Sequence, residues 1–557
     1  MSSDHARVRI LENRRVFDGL IEEASRAFDR SRFRNAAVTL QTAARFAWYN
    51  HPGLYRSLKL ELLAVQIGEH LPSPPSRRNS SRIDVLHVLS QAHLVGGHTR
   101  LVWRWIENDV TRVHSVVITG QQGAPVPTEL RQAVTKSGGS ITMLGSTSSN
   151  LLTRAKRLRR IALDGVSAVV LHIHPFDVIP LIALAHLPVR VVFLNHADHV
   201  FWIGGAITSV LADIRPAGRA LSLGRRYFSE KNSVILPIPL RDRPEADRRQ
   251  ARALLGFSPE AVVVLCIAGS YKFAAPQGSH FIDIHRDFVM ANPNVNIIVV
   301  GPDLIGRWRA VNEETDGRFQ AVGVTRELDT YYDAADIYVD ALPFGSLTSL
   351  LDAGLRGLPV LGLNESLAHS VLTSDDVSLP GGMAQFSSRD EYIHELEALA
   401  GRPDHRRRAS SRVRDAISRD HVSPGWNQHL EHLFETLESG PAGPCTSTST
   451  PPETNIGNFD QCEHALVDLH DASGLSGPLW RSQLREGPFS PALDRARFFL
   501  ATPFGQRAKS LNFLLPDVLR SFVLVGWGAL SRRGLGLSLK RCFRPDTPSV
   551  SSAGKVP

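Results

Sequence analysis

The densest set of groups able to hold an anion lies between Asp336 and Leu361. Ile337–Val339 reads as a buried strand, and it runs into a loop with Gly345, Ser346, Thr348 and Ser349 just before an apolar helical pattern. Backbone N–H groups and hydroxyls at a helix start suit the oxygens of a diphosphate. Asp352, one helical turn on, can accept hydrogen bonds from two ribose hydroxyls. Two further stretches point to the same chemistry. Gly96-Gly97-His98-Thr99-Arg100 follows the run VLHVLS and opens a helix, and paired glycines let backbone approach a ligand closely. Lys272 closes the small-residue turn CIAGSYK, where its ammonium can neutralise phosphate oxygens at a sheet edge.

A base is sought in Asn195-His196-Ala197-Asp198-His199-Val200-Phe201-Trp202, which follows the apolar run VVFL. Imidazole titrates near neutral pH and a carboxylate can orient it. His196 is therefore the first candidate for the base, with Asp198 and His199 next, and Phe201 or Trp202 could stack on a sugar face. His172 and His174 stand on one side of a strand end, a spacing compatible with a metal. No third ligand is evident, so contact of His174 with an acceptor is the preferred reading and no metal is expected. Arg225 and Arg226 in LSLGRR either add positive charge near the anion site or form a solvated basic turn.

These groups need a scaffold that brings distant loops to one edge. Short β-branched runs alternate with helical stretches, the pattern of parallel sheets wrapped by helices. The expected strands are Ile83–Leu89, Ser115–Thr119, Ala168–Ile173, Val189–Leu194 and Ser233–Leu236, then Val262–Ile267, Val295–Val300, Phe319–Val322, Ile337–Val339 and Val360–Leu363. The fold class is α/β, with two Rossmann-like doubly wound domains, an N-terminal helical extension and a basic amphipathic C-terminal tail. We divide the chain into a helical module at 1–71, a linker at 72–81, a first Rossmann-like domain at 82–240, a second at 241–438, a flexible linker at 439–456 and an extension at 457–557. Ligands of such sheets sit beyond the carboxyl ends of the strands, where all the candidates fall.

The chain has 557 residues, 43% of them hydrophobic and 21% charged, a globular composition with room for several cores. Of its 63 Lys and Arg, 11 lie in Ala492–Pro557 against 3 of its 55 Asp and Glu, leaving 52 of each elsewhere. The surplus positive charge belongs to the tail, where Arg and Lys alternate with apolar clusters from Arg495 to Arg544. That texture fits an anionic membrane surface, and the balanced body argues against nucleic-acid binding. The run Leu511–Leu530 is broken by Pro516, Asp517 and Arg520, so it is not expected to span a membrane. Cys266, Cys445, Cys462 and Cys542 are scattered, and the N-terminus has no uninterrupted apolar region. A reducing, cytoplasmic location is expected, with peripheral attachment to the cytoplasmic face of a membrane through the tail.

The segment Asp336–Leu361 resembles the donor-binding segment of GT-B glycosyltransferases. GGHTR is similar to the glycine loop after their first strand, and AGSYKF falls where that superfamily places a diphosphate-contacting lysine. The resemblance covers roughly Arg82 to Glu438. Retaining group-1 enzymes carry two glutamates eight positions apart here, whereas this chain has Phe344 and Asp352. Its pattern is more similar to the O-GlcNAc transferase and bacterial N-glycosyltransferase-like branch, which implies inversion. By that resemblance Lys272, Thr348 and Ser349 would hold the diphosphate and Asp352 the ribose. The donor would be a nucleotide-sugar acting as co-substrate, with UDP the favoured nucleotide and no other cofactor. The acceptor would be a glycan, a lipid-linked glycan or a protein, met in a cleft lined by Gly96, Gly97, His98, His174, His199 and Trp202. A catalytically silent partner-binding scaffold and a nucleotide-sugar epimerase are the alternatives.

Overall fold

A computed structural model describes residues 3–72, 83–94, 96–121, 124–145, 150–242, 247–274, 281–364, 372, 374, 384–440 and 459–486. The first sheet holds seven parallel strands: β1 (Ile83–Leu89), β2 (His114–Ile118), β3 (Ile141–Met143), β4 (Val166–His172), β5 (Arg190–Asn195), β6 (Val210–Asp213) and β7 (Ser233–Ile235), ordered β3-β2-β1-β4-β5-β6-β7. The second holds six: β8 (Val262–Ile267), β9 (Val295–Val300), β10 (Phe319–Ala321), β11 (Ile337–Val339), β12 (Val360–Leu363) and β13 (Ala384–Phe386), ordered β10-β9-β8-β11-β12-β13. Each sheet thus reverses direction beside its first strand, the doubly wound arrangement.

The ten expected strands all form, with ends moved by at most two residues. The other three, β3, β6 and β13, have three or four residues each, too few for a period to show in sequence. The strands that cross the middle of each sheet, such as Val262–Ile267, are nearly continuous apolar runs because both of their faces are covered by helices. Helix Gly97–Asn108 places Leu101 and Trp105 against the first sheet, and the same apolar core continues through Leu350 and Leu351 to the second. Helix Gly425–Ser439 closes it from the end of the chain's second half. Trp426 Nε1 donates to the Pro237 carbonyl at 2.7 Å, and Leu430 and Leu433 are fully buried.

The N-terminal helices Ser3–Asp29, Phe33–Tyr49 and Leu58–Glu69 share a core with the first sheet, in which Phe17, Ile21, Leu60 and Ala64 lie with Leu181, Ile182 and Phe201. At Gly68 a Cβ would stand 2.4 Å from the Ile182 carbonyl oxygen, so only glycine permits this approach. Glu61 is completely buried. Its carboxylate accepts from the amides of Gly204, Gly205 and Ala206 at 2.8, 3.0 and 2.8 Å and pairs with Arg56 at 2.6 Å. One carboxylate therefore ties the helices to the turn after β5.

After the linker, helix Gln461–Ala472 begins with a capping box between Asp460 and Glu463 and packs on the first N-terminal helix. Helix Leu479–Glu486 packs on the second, with buried Glu486 paired to Arg45. The basic, apolar part of the tail, Arg495–Arg544, lies outside the described residues. No described helix is long and apolar enough to cross a membrane.

Truncating Glu61 would leave the Arg56 guanidinium and three amides buried without their anion. Glu61→Ala is expected to lower unfolding stability in urea by about 3–5 kcal/mol, with a smaller loss for Glu61→Gln. A change under about 1 kcal/mol would mean that the helices are not fixed through this carboxylate.

Candidate active site between the two sheets

The two switch points face each other. Beyond β1 and β4 lie the GGHTR loop and His174; beyond β8 and β11 lie the turn Ser270–Phe273 and the loop Asp340–Ser346. Gly96 has φ +115°, a conformation open to glycine. A Cβ on Gly97 would lie 2.6 Å from Thr348 Oγ1, so the starts of helices Gly97–Asn108 and Leu347–Leu355 nearly touch. The two glycines and Thr348, identified from sequence as separate loops, form one cleft floor.

Asp340 shapes the loop that follows β11. Its Oδ1 accepts from the amides of Ala341 and Ser346 at 2.9 and 2.7 Å. Gly345 is required beside it, since a Cβ there would stand 2.6 Å from Asp340 Oδ2 and 2.4 Å from Ser374 Oγ. Lys272 Nζ donates to the Gly345 carbonyl and lies 4.3 Å from the centre of the Phe344 ring. Burial pulls the ammonium down to about 8, against the opposing pull of Asp340. It remains mostly charged at neutral pH while being cheap to deprotonate, as befits a group awaiting an anion. Ser346 is buried, and Thr348 and Ser349 are half-buried at the helix start.

Asp352 sits at the domain boundary. It accepts from Arg100 Nη1 at 2.8 Å and Arg104 Nη2 at 3.0 Å, both from the opposite domain. The carboxylate that sequence assigns to a ribose is thus held by two guanidinium groups. A ligand hydroxyl would have to share it with them. Arg104 has no distinctive motif and is recognisable only as one helical turn beyond Arg100.

Across the cleft, His196 is half-buried, and its Nδ1 lies 3.3 Å from the Leu194 carbonyl oxygen. Its ring stacks on His98 at 4.1 Å between centres. Burial lowers it to about 4, so it is neutral at pH 7 with one nitrogen left to accept a proton. Asp198 lies beneath the turn. Arg215 grips both its oxygens, at 2.5 and 3.2 Å, and His199 Nδ1 stands 3.4 Å away. Despite burial, Arg215 and His199 hold this carboxyl well below the usual carboxylate range. What it offers is orientation of His199, whose ring meets Phe344 of the opposite domain at 4.8 Å.

Trp202 is placed elsewhere. It is 1% exposed, stacked on Phe193 at 4.2 Å within the core shared with the N-terminal helices, and its backbone amide donates to the Tyr55 carbonyl. His174 stays at the cleft, half-buried and stacked on His93 at 5.9 Å. His172 is fully buried behind it. Among the described residues no three His, Cys, Asp or Glu side chains come together as metal ligands. Arg226 donates to the carbonyls of Asp198 and Val200, both at 2.7 Å, and Arg225 pairs with Asp460 and Glu463. Both arginines therefore brace the turn and the helix after the linker.

No family model matches the chain, and no curated protein matches it. Among solved structures it is similar to a glycosyltransferase from Rickettsia africae, at 11% identity over 64% of this chain and 100% of that one, with a TM-score of 0.51. The fold is GT-B. HepE from Anabaena, solved with UDP and glucose, aligns at 14% identity over 64% of this chain and 100% of its own, TM-score 0.49. A mutant O-GlcNAc transferase from Thermobaculum terrenum aligns at 15% identity over 77% and 82%, TM-score 0.44. At these identities the likeness is one of fold, and it distinguishes no branch within it.

Asp198 carries a pH signature. A carboxyl whose folded value is depressed contributes stability above its unfolded value, near 4, and loses it as pH falls further. Unfolding stability is therefore expected to drop below about pH 4 more steeply in the wild type than in Asp198→Asn. At neutral pH Asp198→Ala should cost about 3–5 kcal/mol by leaving Arg215 buried and unpaired. Equal acid sensitivity of wild type and Asp198→Asn would remove this pair from the account.

Proposed function

We propose that the protein transfers a sugar from a nucleoside-diphosphate-sugar to an acceptor hydroxyl or amide. The observation that carries this reading is the facing of two sets of groups across one cleft. On one side stand Lys272 and the Gly345–Ser349 loop; on the other stand neutral His196 and His98. In the reading, Lys272, Thr348, Ser349 and the loop amides hold the diphosphate, and Asp352 accepts from the ribose. His196 takes the acceptor's proton as its oxygen or nitrogen attacks the sugar's anomeric carbon and the bond to the diphosphate breaks. A single displacement of this kind inverts the anomeric centre. Positioning and neutralisation of the leaving diphosphate supply the rate, and His199, set by Asp198, shapes the junction between the two sides. UDP is the favoured nucleotide, on the resemblance of the Asp336–Leu361 segment.

Calorimetric titration with UDP, GDP, ADP, CMP and dTDP tests the reading without an acceptor. Selective binding of one nucleotide is expected, weakened roughly 10- to 100-fold in Lys272→Ala, the value of a hydrogen bond to a charged group, and weakened in Asp352→Ala. Failure of the folded protein to bind any of the five would overturn it in favour of a silent scaffold.

The lowered Lys272 ammonium adds a pH dependence with a definite sign. It is charged below about 8 and neutral above, so nucleotide affinity should hold at pH 7 and fall above pH 8, by up to about tenfold per pH unit. The slope should vanish in Lys272→Met. A wild-type affinity flat from pH 7 to 9.5 would take Lys272 out of the diphosphate site.

A further inference from the structure

Three imidazoles form an unbroken line through the first sheet, all from residues outside the site described so far. His114 opens β2, His87 lies inside β1 and His172 ends β4, so the line crosses three adjacent strands. His87 Nε2 is 2.9 Å from His114 Nδ1, and His87 Nδ1 is 2.9 Å from His172 Nε2. All three are completely buried. At the far end His114 Nε2 stands 3.3 Å from Asp109 Oδ2, an ion-pair distance without hydrogen-bond alignment. At the near end His172 Nδ1 is buried with no hydrogen-bond partner among the described residues, as is Nε2 of His98. The His98 ring is 6.4 Å from that of His172 and 4.1 Å from that of His196. A core position is an expensive place for a polar ring, and three in hydrogen-bonded register need a reason beyond packing.

Direction follows from Asp109. Against burial, which raises it, His114 and Arg112 hold this carboxyl below its ordinary value. It is an acceptor only. A proton on His114 Nε2 faces this acceptor and leaves Nδ1 to accept from His87 Nε2–H. His87 in turn accepts at Nδ1 from His172 Nε2–H. His172 is left with a bare Nδ1 at the cleft end.

We propose that His172, His87, His114 and Asp109 are a proton relay that takes up the acceptor's proton from the cleft and holds it at His114 until it returns. It deepens the transfer reading above and rests on it for its role. The proton leaves the acceptor for His196 and reaches His172 through His98, a gap that one water or a rotamer shift of His98 spans. A new N–H forms at His172 Nδ1 as its Nε2 proton passes to His87 Nδ1. The Nε2 proton of His87 then passes to His114 Nδ1. The sum is one proton gained by His114, now an imidazolium against the Asp109 carboxylate, with no other change of charge. The step reverses when the proton is released to the cleft.

The charged groups around the line are few. Asp109 is faced by Arg112, which also pairs with Glu431 of helix Gly425–Ser439, and Asp84 of β1 accepts from the neighbouring Val113 amide. His172 is faced by His98 and His196, His98 also by His174 and His93, and His196 by Asp198 and His199. Asp109 is the carboxylate in contact with the line.

The test is nitrogen NMR on the full chain labelled with 15N-histidine, needing neither donor nor acceptor. At pH 8, His87 and His172 should both carry the proton on Nε2, with couplings across the N–H···N bonds joining His172 to His87 and His87 to His114. On acidification His114 should become doubly protonated while His87 and His172 change to the Nδ1–H tautomer at the same pH. In Asp109→Asn, whose amide oxygen still faces His114, that joint transition should move down by about one pH unit or more. A proton on His172 Nδ1 at pH 8, three separate transitions, or an unmoved transition in folded Asp109→Asn would each overturn the relay. The wild-type spectrum decides even if the variant does not fold. If no nucleotide binds while the couplings and the joint transition are present, the transfer reading fails and the relay stands as a proton path of the cleft. The converse result removes the relay alone.

Discussion

In both sheets the strand order reverses beside the first strand, and this constraint fixes where every polar group of the cleft emerges. Helices leave opposite faces on either side of β1 and of β8, so the loops that follow those strands and β4 and β11 cannot be covered by the domain's own helices. Only the other domain can meet them. That is why Gly97 comes to lie against Thr348 and why Arg100 and Arg104 can reach Asp352 from a distance of some 250 positions in the chain. The same geometry brings His199 to Phe344, and Phe344 to the Lys272 ammonium that lies over it. Chemistry at this place needs contributions from both domains because neither presents a complete set.

The electrostatics of the two walls differ in kind. On the anion-binding wall the buried charges are matched. Lys272 is balanced by Asp340, and Asp340 is stabilised by the amides of Ala341 and Ser346. On the opposite wall the imidazoles are close together and buried, which keeps His98, His172, His174 and His196 neutral, each disfavouring charge on its neighbours. Asp198 and Arg215 are paired beneath the turn. A wall of neutral imidazoles can accept a proton but has no means of keeping the charge. Among the described residues the carboxylate in contact with the imidazole line is Asp109, beside which a positive charge would be least costly.

Much of the scaffold was legible because its signals are local. Runs such as Val262–Ile267 and Val295–Val300 are too apolar and β-branched to be anything but buried strands, and the residues just after them had to sit at the sheet edge. Gly96, Gly97, Gly345, Thr348 and Lys272 were found by that rule. What could not be read depends on contacts across the chain. Asp352 gives no sign in sequence that Arg104 will hold it, and Asp198 looks like a free carboxylate until Arg215 is seen around it. Trp202 looks as suited to a sugar as to a core, and the difference rests on Phe193, nine residues upstream. His87, His114 and His172 lie in three separate strands, and of these only His172 stood out in sequence, beside His174 and not beside the other two. Their alignment is a property of register, pairing His87 beside Val116 and Val170, which no single strand encodes.

The extent of the apolar core also bears on how the two sheets are held together. Leu101 and Trp105, Leu350 and Leu351, and Trp426 form one continuous cluster that joins the two sheets. Separating them would expose large aromatic and aliphatic surfaces at about 25 cal/mol per Å². The contacts nearer the cleft mouth are smaller. Beside the ion pairs of Asp352 there is a cluster in which Val200, Phe344 and Leu372 meet Leu466 and Leu469 of helix Gln461–Ala472. Dry aromatic packing has no substitute partner, so the deep cluster holds the two sheets together, and helix Gln461–Ala472 meets Val200 and Phe344 at the same boundary.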